Sequence, residues 1–468
     1  MILQTDTICA LITPPGRGAI GVIRISGTKT FEIISKIFMP ARKNISTSEF
    51  EHQHIYFGKI VDKNDIIDEV LVSVFKAPAT YTGEDVAELS CHGSGYIRQR
   101  ILQLIMQSGA AMAKPGEFTM RAYLNGKMDL AQAEAVADII GAENSISHHA
   151  AMQQMRGGYS DEIKSLRDQL VKFAALIELE LDFSEEDVEF ASREELKALV
   201  LSVQHKIKHL LKSYELGNIL KNGVPVVIAG KPNVGKSTLL NSLLNEERAI
   251  VSDIAGTTRD TIEEELNVDG IRFRFIDTAG IRNTDDAVES IGVKRTYAKA
   301  SEAKIILYLF DPMESSPADL QKEISQLQCE LELSGKDIKK IFLLIANKSD
   351  TLNSNFDLHS YDKCGEVILI SAKHKSNLNV LKETLITLSG IDGVALNESV
   401  VTNARHAVSL TQAGSALDLF LQGVEDGISN DLLSTHIRDA IYALGEITGQ
   451  VSTEDLLDYI FSQFCIGK

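Results

Sequence analysis

The chain has 468 residues, with 47 Lys and Arg against 65 Asp and Glu, giving a formal net charge of −18. Its 44% hydrophobic and 24% charged content, with only 9 prolines, excludes a mainly disordered or collagen-like chain, and the length predicts two or three domains. The acidic balance disfavours non-specific attraction to nucleic-acid phosphates; because the first 120 residues carry as many basic as acidic side chains, an RNA substrate would have to meet a local basic patch. Cys9, Cys91, Cys329, Cys364 and Cys465 are scattered without a CxxC pair, which predicts neither a disulfide framework nor a zinc cage and suits a reducing, cytoplasmic setting. No apolar run approaches the roughly 20 residues of a membrane span. The start carries Asp6 and no basic leader, so it does not read as a signal peptide.

Residues 1–120 mix short β-rich runs (GAIGVIRIS, EVLVSVFKAP, EDVAELSCHG) with Gly and Pro punctuation and one helix near Gly95 to Ser108, which predicts a compact α+β domain. Over 121–220 the expectation is helical: no proline occurs from Met128 to Gly223, and Ile163, Leu166, Leu170, Ala174, Ile177 and Leu181 recur in steps of three or four. Over 221–390 strand-like VPVVIAG, FRFIDTAG, AKIILYLFD, KIFLLIANKSD and EVILISA alternate with helical segments, the pattern of a mostly parallel sheet covered on both faces. Helical character resumes over 391–468. The expected architecture is a multidomain α/β chain, with an α+β domain followed by a discontinuous helical domain into which the α/β unit is inserted.

The run GKPNVGKS, Gly230 to Ser237, matches G-x-x-x-x-G-K-[ST] between a predicted strand and a predicted helix, the context of a phosphate-binding loop. Its glycines let backbone N–H groups approach phosphate oxygens, Lys236 would reach the β- and γ-phosphates, and Ser237 would ligate Mg²⁺. The DTAG run, Asp277 to Gly280, ends an apolar strand where a carboxylate can hold Mg²⁺ through water and a glycine N–H can sense the γ-phosphate. GTTRD, Gly256 to Asp260, offers Thr258 as a further Mg²⁺ ligand. In NKSD, Asp350 can accept from guanine N1–H and the 2-amino group, a pair that adenine lacks, and SAK, Ser371 to Lys373, closes the pocket. Five motifs in this order point to GTP hydrolysis. The place after DTAG holds Ile281, which cannot orient water as a Ras-like glutamine does; Asp285, Asp286 and Glu289 are the candidates, and the residues alone do not choose among them.

GKPNVGKST, GTTRD, DTAGIR, NKSD, the opening TPPGRGAIGVIRISG, the stretches YTGEDVAELSCHG and KPGEFTMRAYLNGKMDLAQAEAVADII, and the terminal FCIGK together resemble the MnmE (TrmE) family of tRNA modification GTPases over essentially the whole chain. The resemblance implies a homodimer formed through the N-terminal domain, which binds a 5-formyl- or 5,10-methylene-tetrahydrofolate derivative. It implies G domains that pair across the nucleotide face with GTP and K⁺, and hydrolysis stimulated by that pairing. With an FAD-dependent partner, in a heterotetramer, such proteins build an aminomethyl or carboxymethylaminomethyl group at C5 of the wobble uridine 34 of certain tRNAs. Carried over by motif, Asn233 gives K⁺ a side-chain oxygen; Ser252, Ile254 and Thr257 give backbone oxygens, and Glu289 matches the water-orienting glutamate. Relatives carry threonine at the place of Ser252, a change that touches little because the ligand is a backbone oxygen. K⁺ and a carboxylate would then do the work of an arginine finger and a glutamine.

The nucleotide and ion pocket so implied comprises Asn233, Val234, Gly235, Lys236, Ser237, Thr238, Ser252, Asp253, Ile254, Ala255, Gly256, Thr257, Thr258, Asp277, Thr278, Ala279, Gly280, Asn347, Lys348, Asp350, Ser371, Ala372 and Lys373. For the folate the match points to Arg24, Glu88, Lys127 and Lys468, a carboxylate suiting a pterin and cations suiting glutamyl tails; the plain alternative is an Arg24–Glu88 ion pair. Cys465 in FCIGK is either a working thiol near the folate or a buried cysteine at a helix end. His92, His148 and His149 lack metal-ligand company. Two rival readings are an RNA-chaperone GTPase of the Era-like group, for which no KH-type GXXG loop is seen, and a folate-dependent one-carbon enzyme with a regulatory G domain.

Overall fold

In the computed structural model, which describes residues 6–42, 49–182, 193–247, 264–276, 302–333, 340–352, 356–391 and 400–468, the period-2 patterns of the N-terminal runs become strands with one covered face. β1 (Ile8–Leu11), β2 (Ile20–Ser26), β3 (Phe38–Pro40), β4 (His54–Asp62), β5 (Asp65–Phe75), β6 (Val86–His92) and β7 (Ala111–Met112) form a sheet in the order β3-β4-β5-β6-β2-β1-β7. Its pairs are antiparallel except β1 with β7. Helices α1 (Thr30–Ile37) and α2 (Gly95–Gln107) cover one face, where Ile33, Ile34, Ile101 and Ile105 pack with Ile23, Ile25, Val72 and Leu89. The second of these was expected and the first was not. Thr30, Ile33, Ile34 and Ile37 are buried at helical spacing, but a short β-branched run reads locally as strand until the sheet beneath supplies the partner face.

Helices α3 (Glu117–Leu124), α4 (Leu130–Ile140), α5 (Ser145–Met155), α6 (Gly158–Asp182) and α7 (Arg193–Asn222) follow. A capping box starts α4: Asp129 accepts from the Gln132 N–H and the Gln132 side chain accepts from the Asp129 N–H. Along α6, Ile163, Leu166, Leu170, Ala174 and Ile177 are buried as their spacing predicts.

β8 (Val224–Ala229), α8 (Lys236–Glu247), β9 (Glu264–Val268), β10 (Ile271–Phe275), β11 (Ile305–Phe310), α9 (Pro317–Leu333), β12 (Ile341–Ala346), β13 (Val367–Leu369) and α10 (Leu378–Ser389) build the α/β part. The sheet order is β13-β12-β11-β8-β10-β9, parallel throughout except for the β9/β10 hairpin. Every residue of β11 is buried, which is why IILYLF is uniformly apolar rather than alternating. The chain ends in α11 (Ala404–Glu425), α12 (Asn430–Thr448) and α13 (Glu454–Ser462).

Two compact units result. One comprises Met1–Gly141, Met152–Ile207 and Ser409–Lys468; the other comprises Ala142–Ala151 and Lys208–Val408. Helical segments from both sides of the α/β unit in sequence thus share the first unit, where Phe173 of α6 meets Phe420 of α11 edge-on at 5.4 Å. The architecture is multidomain α/β, as the sequence predicts. Among the described residues no helix is long and apolar enough to cross a membrane.

Candidate nucleotide-binding site

The motif residues of the second unit lie where parallel strands end. Gly230 to Lys236 follow β8, Asn347 to Asp350 follow β12, and Ser371 to Lys373 follow β13, at the carboxyl edge where open α/β sheets bind ligands. Asn233 is left-handed at φ 61° and Gly235 at φ 97°. A Cβ on Gly235 would stand 2.4 Å from the Asn347 amide nitrogen, so the motif needs glycine there for space as well as for φ. Lys236 opens α8 and donates to the carbonyls of Gly230 at 2.7 Å and Lys231 at 2.6 Å. Burial pushes its ammonium below the ordinary lysine range. Ser237 and Thr238 follow in the first helical turn, where the helix dipole favours an anion.

Asn347 joins the loops. It is 3% exposed, donates to Val234 O at 2.8 Å and accepts from the Ala372 N–H at 3.0 Å, so one amide links the phosphate loop to the SAK loop. Ser371 donates to Asp350 Oδ1 at 2.5 Å, and this hydroxyl, with His374 nearby, holds the Asp350 carboxyl below its usual range. Ser242 of α8 donates to Ala372 O at 2.7 Å, tying the helix to the same loop. Lys348 is left-handed at φ 64°, and its ammonium lies 2.8 Å from Asp311 Oδ2. Sequence reasoning passed over Asp311, the acid that directly follows the all-apolar β11; the signal was there, in a charge at the end of a fully buried strand next to the one that carries NKSD. Ser252, Asp253, Ile254, Ala255, Gly256, Thr257, Thr258, Asp277, Thr278, Ala279, Gly280, Ile281, Asp285, Asp286 and Glu289 lie outside the described residues.

In the first unit, Arg24 and Glu88 are cross-strand neighbours on β2 and β6. Nε and Nη2 of Arg24 reach Glu88 Oε1 at 2.9 and 2.8 Å, so the ion pair forms. The Arg24 guanidinium also stands 5.3 Å from the Tyr81 ring centroid and 5.5 Å from that of Phe118. The Phe118 N–H donates to Lys468 O at 3.1 Å, and Pro115 bridges to Ile466, which sets the chain end against the start of α3. Gly467, at φ 99°, would place a Cβ 2.5 Å from Leu11 O, so that close seat also needs glycine. Lys127 donates to Pro78 O at 2.8 Å, at the loop that carries Tyr81. Beneath, buried Arg121 is held by Asp6, Glu84 and Glu117 at 2.9, 3.2 and 2.8 Å.

Cys465 is exposed, which sets aside its reading as a buried cysteine. His92 pairs with Asp68 at 2.7 Å. Among the described residues no group of three or more His, Cys, Asp or Glu could hold a metal ion.

Comparison with known proteins agrees along the chain. Residues 7–127 match the N-terminus of the GTP-binding protein TrmE, and residues 130–465 match the MnmE helical domain. The chain is 52% identical over 465 residues to the tRNA modification GTPase MnmE of Cytophaga hutchinsonii, covering 99% of this chain and 98% of that one. It is 50% identical over 473 residues to the protein of the same name from Flavobacterium johnsoniae, covering 100% of both, and 50% identical over 474 residues to that of Christiangramia forsetii, covering 99% of both. Full-length identity at this level, on a chain whose phosphate loop and NKSD loop meet through Asn347, means that the chain belongs to the MnmE family of tRNA modification GTPases.

Proposed function

We propose that this chain hydrolyses GTP in the service of tRNA modification, with 1–120 as the folate-binding and dimerising domain, 121–220 and 391–468 as the helical domain, and 221–390 as the G domain. What supports the reading above all is the Asn347 amide, which joins the phosphate loop, the NKSD loop and the SAK loop. Guanine would donate N1–H and its 2-amino group to Asp350, which Ser371 keeps ionised and aimed. With phosphate present, Lys236 exchanges two backbone carbonyls for β- and γ-oxygens, and its half-buried charge gains a partner of opposite sign. Water attacks the γ-phosphorus, the bond to the β,γ-bridging oxygen breaks, and Glu289 orients the water.

The donor chemistry of the loop fits the ions. Ser237 and Thr258 would hold Mg²⁺, and Asn233 with the backbone oxygens of Ser252, Ile254 and Thr257 would hold K⁺; together these ions supply positive charge at the β- and γ-oxygens. In the N-terminal domain, Arg24, Glu88, Lys127 and Lys468 would bind a tetrahydrofolate derivative, with the exposed Cys465 on the same terminal segment as Lys468. The chain then acts as a homodimer with an FAD-dependent partner on the wobble uridine of tRNA, GTP hydrolysis driving conformational change rather than the base chemistry.

Hydrolysis by the full-length protein is expected to run far faster in K⁺ than in Na⁺, and equal rates would remove the cation argument. Glu289→Ala should keep GTP binding and lose most turnover; retained turnover would move the water-orienting role to Asp285 or Asp286. Calorimetry with 5-formyltetrahydrofolate separates this reading from other GTPases, because an absence of heat leaves only the nucleotide half standing.

A further inference from the structure

We infer that Asp311 is a positioning residue for guanine recognition, acting through Lys348. The inference rests on the GTP-hydrolysing reading above and names a residue that the motifs do not contain. The Asp311 side chain is only 6% exposed, and a carboxylate so placed has to be fully partnered. Both oxygens are taken: Oδ1 accepts from the Met313 N–H at 2.9 Å, and Oδ2 lies 2.8 Å from the Lys348 ammonium. The first contact closes a local turn. The second reaches the loop that reads the base.

That loop leaves β12 beside the end of β11. The Asn347 N–H donates to Phe310 O at 2.9 Å, so Asp311 and Lys348 follow residues that are already paired. Lys348 stands between Asn347, which binds both flanking loops, and Asp350, and it caps the short 3₁₀ turn Ser349–Thr351. Its left-handed backbone, φ 64°, is a conformation that a non-glycine residue adopts only at a cost. An unanchored lysine side chain also has rotamer entropy to lose on ordering. The pair with Asp311 raises the Lys348 ammonium pKa, so that ammonium stays charged at neutral pH. Fixing the far end of the side chain in this way holds the strained turn, and with it Asp350, in place before a nucleotide arrives.

Asp311→Asn separates the two contacts, because the amide oxygen can still accept from Met313 while the charge facing Lys348 is gone. In the full-length protein, calorimetry with GDP and IDP and steady-state kinetics with GTP give the readouts. Inosine lacks the 2-amino group, so a misplaced Asp350 should weaken GDP about tenfold and IDP about threefold or less, narrowing the preference between them. The KM for GTP should rise while kcat at saturation stays within about threefold. Adding Asp311→Asn to Lys348→Met should cost nothing further, the non-additivity of residues that act as one unit. GDP affinity within about twofold of the parent in Asp311→Asn, or additive losses in the double variant, overturns the role of Asp311. A parent protein that binds neither GTP nor GDP overturns the GTPase reading itself.

Discussion

At the strand ends of the parallel sheet, Asn347 binds both neighbouring loops with one buried amide, whereas on the N-terminal sheet Arg24 and Glu88 neutralise each other. In the first region the polar side chains hold the backbone in place. The phosphate loop and the SAK loop are thereby tied together without a ligand. In the second region the proposed folate would have to displace or share an existing pair, whose side chains are 15% and 25% exposed, with the Tyr81 and Phe118 rings near Arg24 supplying apolar area in return. A variant at Asn347 should therefore act through lost geometry, and one at Arg24 through lost charge.

The largest effect is expected at Lys236. Lys236→Met should lower GTP turnover about a thousandfold, since it removes the side-chain cation proposed to reach the β- and γ-phosphates. Without nucleotide the same variant should be more stable, by about 1–2 °C in melting temperature, because the native state holds a half-buried ammonium on two carbonyls. The folded pKa of Lys236 lies below the free value of 10.5, so the penalty on the charged native form is complete at neutral pH and fades as pH rises through the folded value. The stability gain of Lys236→Met should accordingly be largest on the acid side of the folded pKa and shrink as pH rises towards 10.5. A variant that melts at or below the parent temperature at neutral pH would show that the carbonyls stabilise the ammonium fully.

Next comes Asn347→Ala, which should weaken GDP about a hundredfold by removing two buried hydrogen bonds worth about 1–3 kcal/mol each once a partner is stranded. Calorimetry reads this directly. A loss under about tenfold would mean that the two loops keep their places without the amide, and the contrast between the two regions would lose its basis.

The ease with which these sites could be read from the sequence follows the same contrast. The phosphate loop was legible because strand, glycines, lysine and helix are consecutive, so chain connectivity fixes their geometry. The bridging role of Asn347 was not legible, because Val234 and Ala372 come to it only when β8, β12 and β13 align in parallel. Asp311 stood in view as a charge ending an apolar run, but its pairing with Lys348 depends on β11 and β12 lying side by side. On the N-terminal sheet, the Arg24–Glu88 contact depends on the β2/β6 register, and the seat of the chain end depends on Gly467 meeting β1. Of the fold, the strands and long helices showed their periods plainly, while α1, two turns with three isoleucines, reads as strand until Ile33 and Ile34 have a sheet to cover.

Arg24→Ala sharpens the comparison from the other side. It should weaken 5-formyltetrahydrofolate about tenfold by removing a cation and stranding Glu88. Arg24→Lys should recover only part, since an ammonium lacks the planar fork that lies between Tyr81 and Phe118. Superimposable titrations of parent and Arg24→Ala would reject the site.

The smallest effect separates the regions by thiol reactivity. Burial pushes the Cys9 thiol up to about 12 and the Cys91 thiol up to about 11, so at pH 8 both should resist iodoacetamide, while exposed Cys465 and Cys329 react. Since the segment bearing Cys465 ends at Lys468, whose carbonyl accepts from the N–H of Phe118, the residue whose ring stands 5.5 Å from the Arg24 guanidinium, saturating 5-formyltetrahydrofolate should slow alkylation of Cys465 about threefold. Cys329, on α9 of the α/β unit, should be indifferent to folate and serves as the internal standard within the same digest. Equal slowing at both thiols would indicate quenching of the reagent, and unchanged rates at both would place the folate away from the chain end.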